Sequence, residues 1–160
     1  FLTPLAVVLP IHPIVKNAGR LDNVITLIIL YTSMNLPIAV WMMRSFLAEV
    51  PKEILEAAEV DGAGLLRTLW NVVAPVAAPG LAATSLICFI FSWNEFMFAL
   101  LLTRNEVRTL TVIVPSLVGG HEILWGEVAA VGTIAIIPGI GLAIVLKRYR
   151  VRGRTLGAVK

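Results

Sequence analysis

One acidic side chain, Glu95, stands inside the run of residues 80–102, which carries no other charge. A carboxylate surrounded by hydrocarbon is costly, so such a residue marks a function by default. Its neighbours could share the work. The Trp93 indole can stack on a ring, and the Asn94 amide can exchange hydrogen bonds with hydroxyl groups. The other reading is a hydrogen-bonded cluster that ties helices together. Asn35, inside the uncharged residues 24–43, carries the same two readings: a place on a solute path, or a hydrogen bond beside Pro37. A second concentration of reactive groups is EVPKEILEAAEVDGAGLLRTLWNVVAP, residues 49–75. It holds five of the chain's ten acidic residues: Glu49, Glu53, Glu56, Glu59 and Asp61. Acidic and small residues mixed in this way suit the docking of a soluble partner. A loop packed on its own bundle is the plainer alternative.

Catalytic chemistry is not indicated. The chain has no GxxxxGK[ST] phosphate loop and no Ser/His/Asp or Cys/His arrangement in a plausible setting. His12 and His121 are far apart and have no nearby cysteine, so no metal site is expected. The single cysteine, Cys88, lies in an apolar run and reads as a small buried side chain, which leaves no disulfide within one chain. No cofactor is expected. The net charge of +3 comes from basic residues gathered at the C-terminus beside an apolar span, a topology signal and not a nucleic-acid footprint. Charged residues make up 14% of the chain, against about 25% in soluble domains. With 58% hydrophobic residues and a mean hydropathy of +0.90, the composition is that of a membrane protein.

The elements that must position these groups are therefore apolar helices of about 20 residues. Residues 1–15, FLTPLAVVLPIHPIV, read as the end of a helix that starts earlier, stopped or kinked by Pro10 and Pro13. Residues 16–23 form a polar turn. Residues 24–43 make one span, with Pro37 as a kink and Trp41 near an interface. Residues 80–102 make a second, and residues 128–146 a third with Pro138 and three glycines. Residues 103–127 form a loop with a Gly119-Gly120 turn and Trp125 at an interface, and KRYRVRGRTLGAVK is a basic tail held near anionic lipid. The expected fold is an all-α polytopic transmembrane bundle: three complete spans and the end of a fourth. The side of residues 44–79 carries nine basic residues, Arg44, Lys52 and Arg67 with six in the tail. The other side carries four: Lys16, Arg20, Arg104 and Arg108. The positive-inside rule puts loop 44–79 and the C-terminus in the cytoplasm.

Within that loop, Pro51 suits the first turn of a helix, and Glu53 and Glu56 favour its positive end. Ile54, Leu55 and Ala58 form an apolar stripe. Asp61-Gly62 should end this helix through a left-handed glycine, and Asp61 should cap a second helix over residues 63–73. Pro75 and Pro79 then redirect the chain.

Glu56-Ala57-Ala58, with Gly62 four residues after the last Ala, resembles the signature loop of importer-type ABC permeases. Val72-Val73-Ala74-Pro75 stands where that family has Ile-x-Leu-Pro, with Ala74 in place of Leu. PKEILEAAEVDGAG, SWNEF and RYRVRGRTLGAVK resemble the sugar-transporting, maltose-type subfamily, and the likeness covers the C-terminal portion of a usual permease subunit. The resemblance implies a transport subunit of the inner membrane, not an enzyme. It implies a second permease subunit, two ATP-binding-cassette ATPase subunits and an extracytoplasmic solute-binding protein as partners. It makes Glu56, Ala57, Ala58, Asp61, Gly62, Ala63 and Gly64 the ATPase-coupling loop, whose movement rocks the spans between inward- and outward-facing states. A carbohydrate or related polyol is the implied solute. A glycerol phosphate, a peptide or a polyamine, or a secondary transporter without a motor, are the alternatives. On this reading Gly62→Asp or Gly62→Pro uncouples ATP hydrolysis from transport while the protein stays in the membrane. Solute uptake and co-purification of the ATPase subunits check this, and normal values of both would refute it.

Overall fold

The computed structural model describes residues 4–118 and 125–152. All the regular structure among them is helical. The elements are α1 (Pro4–Asn17), α2 (Val24–Ala48), α3 (Lys52–Val60), α4 (Leu65–Thr68), a π-helical segment (Leu69–Val73), α5 (Ala74–Val76), α6 (Ala78–Trp93), α7 (Met97–Leu102), α8 (Leu110–Val118) and α9 (Trp125–Arg152). The Gly119-Gly120 turn and residues 153–160 of the basic tail lie outside the described residues.

Two helices, α2 and the Trp125–Val145 part of α9, are long and apolar enough to cross a membrane. Only 11% of the α2 window and none of the α9 window is buried. Trp41, Ile137 and Ile144 are all largely bare. A helix that is apolar all round and left open can rest only against lipid or other apolar helices. A third crossing is reached if Leu65–Val76 and Ala78–Trp93, which meet at 78°, count as one bent span.

Several expectations change. Helix α1 runs through both Pro10 and Pro13 to Asn17, so neither proline stops it. Packing against α7 holds it together despite the missing donors. Residues 80–102 are two helices, because regular hydrogen bonding breaks at residues 94–96. The long loop after residue 103 contains α8, with Pro115 inside it. Its apolar run satisfies its own backbone groups by forming a helix. Helix α9 extends beyond the expected span to Arg152, which puts the first half of the basic tail on a helix.

The chain divides into two compact units. The first combines Phe1–Asn35 with Ile90–Ile140. Its core is Val8, Leu27, Phe98 and Leu102, joined by Ile11, Leu30 and Val107 among others. Asn23 opens α2, and its Oδ1 accepts from the Ile25 amide at 2.8 Å. This is the cap that an Asn ahead of an apolar run supplies.

The second unit combines Leu36–Phe89 with Gly141–Lys160. Here α2 and α6 meet closely at Gly80, which is buried. A Cβ added there would lie 2.5 Å from Phe46 Cβ, and the Cγ would be nearer still. Both atoms are close to the backbone of α2 and cannot swing away. Small residues at such crossings let helices gain dispersion contacts that lipid cannot supply. Gly80→Ala should therefore destabilise by about 1–3 kcal/mol through overpacking. Thermal unfolding in detergent checks this, and Phe46→Ala in the same chain should recover part of the loss.

Candidate functional site

The first site lies in the first unit, where α2, the end of α6, α7 and α8 meet around Glu95. Helix α6 ends at Trp93, and the Asn94 side chain turns back so that Nδ2 donates to Ile90 O at 2.8 Å. This leaves the first amides of α7 without helical partners. The Glu95 carboxylate supplies them. Oε1 accepts from Phe98 N at 2.8 Å, and Oε2 accepts from Ala99 N at 3.2 Å. Oε2 also accepts from the Tyr31 hydroxyl on α2 at 2.8 Å. The Glu95 carbonyl accepts from Thr111 Oγ1 on α8 at 2.7 Å.

One turn along α2, Asn35 Nδ2 donates to Tyr31 O at 2.8 Å and to Ser92 Oγ at 3.0 Å. Asn35 Oδ1 is buried and has no hydrogen-bond partner. Tyr31 and Asn35 are four residues apart and share one face of α2, and Ser92 lies in the last turn of α6, just before the break that holds Glu95. Thus Asn35 and Glu95, nominated from sequence, do come together. Asn94 is exposed and bonds back to the end of α6, and Trp93 is half-buried. Tyr31, Ser92 and Thr111 were missed. The i−4 and i−3 spacing from the two nominated residues was the signal that could have found the first two.

The second site lies in the second unit and is the elbow between α3 and α4. Helix α3 ends on Gly62, which takes φ +70°. Gly62 N donates to Glu59 O at 3.0 Å and Ala63 N to Ala58 O at 2.9 Å. This pair of bonds with a left-handed glycine between them is the Schellman end. Two details differ from expectation. Pro51 is the residue before α3 and stands in extended backbone, with φ −61° and ψ 134°. Asp61 does not cap the second helix. That helix begins at Leu65 after Gly64, and no side chain caps it. The left-handed Gly62 and the extended Gly64 carry the chain away from Asp61 before the new helix opens. Past Thr68 the helix widens into the π turn Leu69–Val73.

Glu56, Ala57, Asp61, Gly62 and Gly64 are exposed, Ala63 is half-buried, and Ala58 is buried. Helix α3 packs against the π segment and leaves a groove of about 540 Å³ between them. Ala57, Ala58, Asp61 and Ala63 line it, with Glu53 and Ile54 from α3 and Arg67, Asn71 and Val72 opposite. The small alanines open the groove, and the Glu53, Asp61 and Arg67 side chains supply its charge. Val60 and Leu65, on either side of the elbow, are 88% and 86% exposed. No group of metal-ligating side chains is found among the described residues.

Among the described residues the regular structure is all helical, with long bare apolar helices and an exposed helix–glycine–helix elbow, the architecture of a membrane-spanning protein. Over residues 1–153 the chain matches the family described as the binding-protein-dependent transport system inner membrane component, and it belongs to that family. It is 38% identical over 148 residues to the trehalose/maltose transport system permease protein of Thermococcus litoralis, covering 91% of this chain and 53% of that protein. It is 36% identical over 154 residues to the diacetylchitobiose uptake system permease of Streptomyces coelicolor, covering 96% and 56%. It is 30% identical over 154 residues to the sn-glycerol-3-phosphate transport system permease of Yersinia enterocolitica, covering 91% and 52%. The chain thus spans a little over half the length of these relatives.

The Glu95 contacts generate a graded expectation. Glu95→Ala strands two amides and a hydroxyl and should cost about 3 kcal/mol or more, since each stranded buried donor costs ~1–3 kcal/mol. Glu95→Gln keeps one acceptor oxygen and should cost less. Tyr31→Phe removes a single bond and should cost about 0.5–1.5 kcal/mol. Melting temperatures of the three purified variants should fall in that order, and equal stability of Glu95→Ala and wild type would contradict the geometry.

Proposed function

We propose that the chain is the C-terminal portion of a permease subunit that carries a carbohydrate through the inner membrane. In this reading it works beside a second permease subunit, and two ATP-binding-cassette ATPase subunits drive it. An extracytoplasmic binding protein delivers the solute. Loop 44–79 and the C-terminus face the cytoplasm, in line with the excess of basic residues on that side.

The observation that carries the reading is the exposed elbow around Gly62 on a chain matched end to end by sugar permeases. Its geometry suits a docking surface. Glu56 is free to pair with a basic residue. Ala57 lets a partner approach closely, and Gly62 aims α4 at a fixed angle to α3. The bare apolar Val60 and Leu65 gain from being covered. We assign the Glu95, Asn35, Trp93 and Asn94 group to architecture and not to solute contact. Both Glu95 carboxylate oxygens are already occupied by the protein's own donors. The glycerol phosphate relative supports a second reading, a phosphorylated polyol as solute.

Uptake of a panel of labelled solutes, in a strain deleted for the gene and complemented with it, tests the proposal. Loss of uptake of one carbohydrate, restored on complementation and abolished by ATP depletion, is the expected result. Selective loss of glycerol phosphate uptake favours the second reading. Uptake that survives ATP depletion would remove the motor.

A further inference from the structure

Asp22 has no part in either site, yet it makes more long-range hydrogen bonds than any other described side chain. It lies in the turn between α1 and α2 in left-handed backbone, φ 58°, an unusual conformation for a residue with a Cβ. Its own amide donates to Leu102 O at 2.8 Å. Its carboxylate then accepts from four consecutive amides more than 80 residues away. Oδ1 takes Arg104 N at 2.9 Å and Val107 N at 3.0 Å. Oδ2 takes Asn105 N and Glu106 N, both at 2.8 Å. The far ends of both segments are fixed. Thr26 Oγ1 donates to Arg20 O at 2.9 Å, and Thr103 Oγ1 donates to Ala99 O at 2.6 Å.

Successive amides that converge on one point make an anion-binding concavity. Here the anion is part of the chain. The amides of Glu106, and next Arg104, hold the Asp22 carboxyl well below its usual range. A carboxylate with a depressed folded pKa stabilises above its unfolded value and loses that effect only as pH falls through the folded one. The clasp is therefore closed at any neutral or mildly acid pH. Nearby charges on the two segments are Arg20, Arg104, Glu106 and Arg108, all exposed. A surface ion pair would be loose in such a place, whereas four charge-assisted bonds to backbone fix the loop's path itself.

We propose that Asp22 is a positioning residue for transport: it locks the α1–α2 turn and the loop 103–107 into one body, and the two move together throughout the cycle. The proposal rests on the transport reading above. The body includes α7, whose first turn is held by the Glu95 carboxylate and whose last residue, through Leu102 O, accepts from the Asp22 amide.

The test uses the intact transporter in membranes. Asp22→Ala removes all four acceptors, and Asp22→Asn faces two of the amides with an NH2 group. Each should lower uptake, about tenfold for Asp22→Ala, and should speed hydrogen exchange at the amides of residues 104–107. Arg20→Cys with Asn105→Cys, joined by a short bifunctional thiol reagent, should leave uptake unchanged in the otherwise native chain and restore it in Asp22→Ala. A role confined to folding would not be restored by a link made after assembly. Native uptake in Asp22→Ala, or a block of uptake by the cross-link in the native background, would overturn the proposal. ATP-independent uptake by the unmodified transporter would instead overturn the transport reading. Unprotected amides at residues 104–107 in the unmodified protein would overturn the clasp regardless of function.

Discussion

A carboxylate can sit in an apolar helix only if its charge is met by donors already in place. Glu95 meets that condition by sitting where the helix fails. Regular bonding stops at residues 94–96, and this frees the amides that the charge requires. The break and the acid therefore explain each other. A continuous helix would leave Glu95 unpaired, and a break without Glu95 would leave amides bare in hydrocarbon. The same residue draws Tyr31 from α2 and Thr111 from α8, so three neighbouring elements are registered on one side chain and its carbonyl. In lipid, apolar contact between helices is only weakly favoured over contact with the acyl chains. Directional bonds of this kind, together with the tight apolar knot at Phe98 and Leu102, then determine which packing is unique.

Asp22 repeats the solution outside the apolar segments. In both places an acid satisfies backbone amides that no helix can use, and in both the amides belong to the segment from Phe98 to Val107 or its immediate flank. A short helix of six residues gains little stability from its own hydrogen bonds. Helix α7 persists because each end is anchored and its middle, Phe98 and Ala99, is buried. Its position is consequently a property of the first unit as a whole and not of its local sequence.

Much of this was legible in the sequence, and the pattern of misses is physical. The apolar runs gave α2 and α9, and the glycine in DGAG gave the end of α3, because these depend on neighbours within a few residues. The helix–glycine–helix shape around Gly62 was legible for the same reason, whereas the coupling role of Glu56 to Gly64 came from the family resemblance and belongs to the proposal. What escaped was set by distant pairs. Nothing local to LDN shows that Asp22 will meet residue 106. Tyr31 looks like one more apolar residue until Glu95 is opposite it. The α8 run, LTVIVPSLV, was read as part of a loop, and α1 was read as a helix stopped or kinked by Pro10 and Pro13, whereas it runs on to Asn17. Proline was read as a stop or kink because it removes a backbone donor. In an apolar setting the helix is retained, because every alternative conformation strands more groups than proline does.

The elbow follows a different rule from the Glu95 site. Its angle is fixed by backbone alone, through Gly62 at φ +70° and two carbonyls of α3. No side chain caps α4, and the side chains of the candidate contact residues Glu56 and Asp61 make no hydrogen bond among those described. That leaves their side chains available to a partner without loosening the elbow. A surface meant to transmit force needs this separation, since groups that hold the lever's shape cannot also be exchanged for contacts with whatever moves it. The π turn after α4 adds a constraint in the same direction. It rotates the helix by a fraction of a turn just before the 78° bend at Ala77. The proposed docking helices and the apolar helix beyond them therefore meet across a single non-helical residue, Ala77. In the proposed role, displacement at Gly62 would pass to α6 across that one-residue turn.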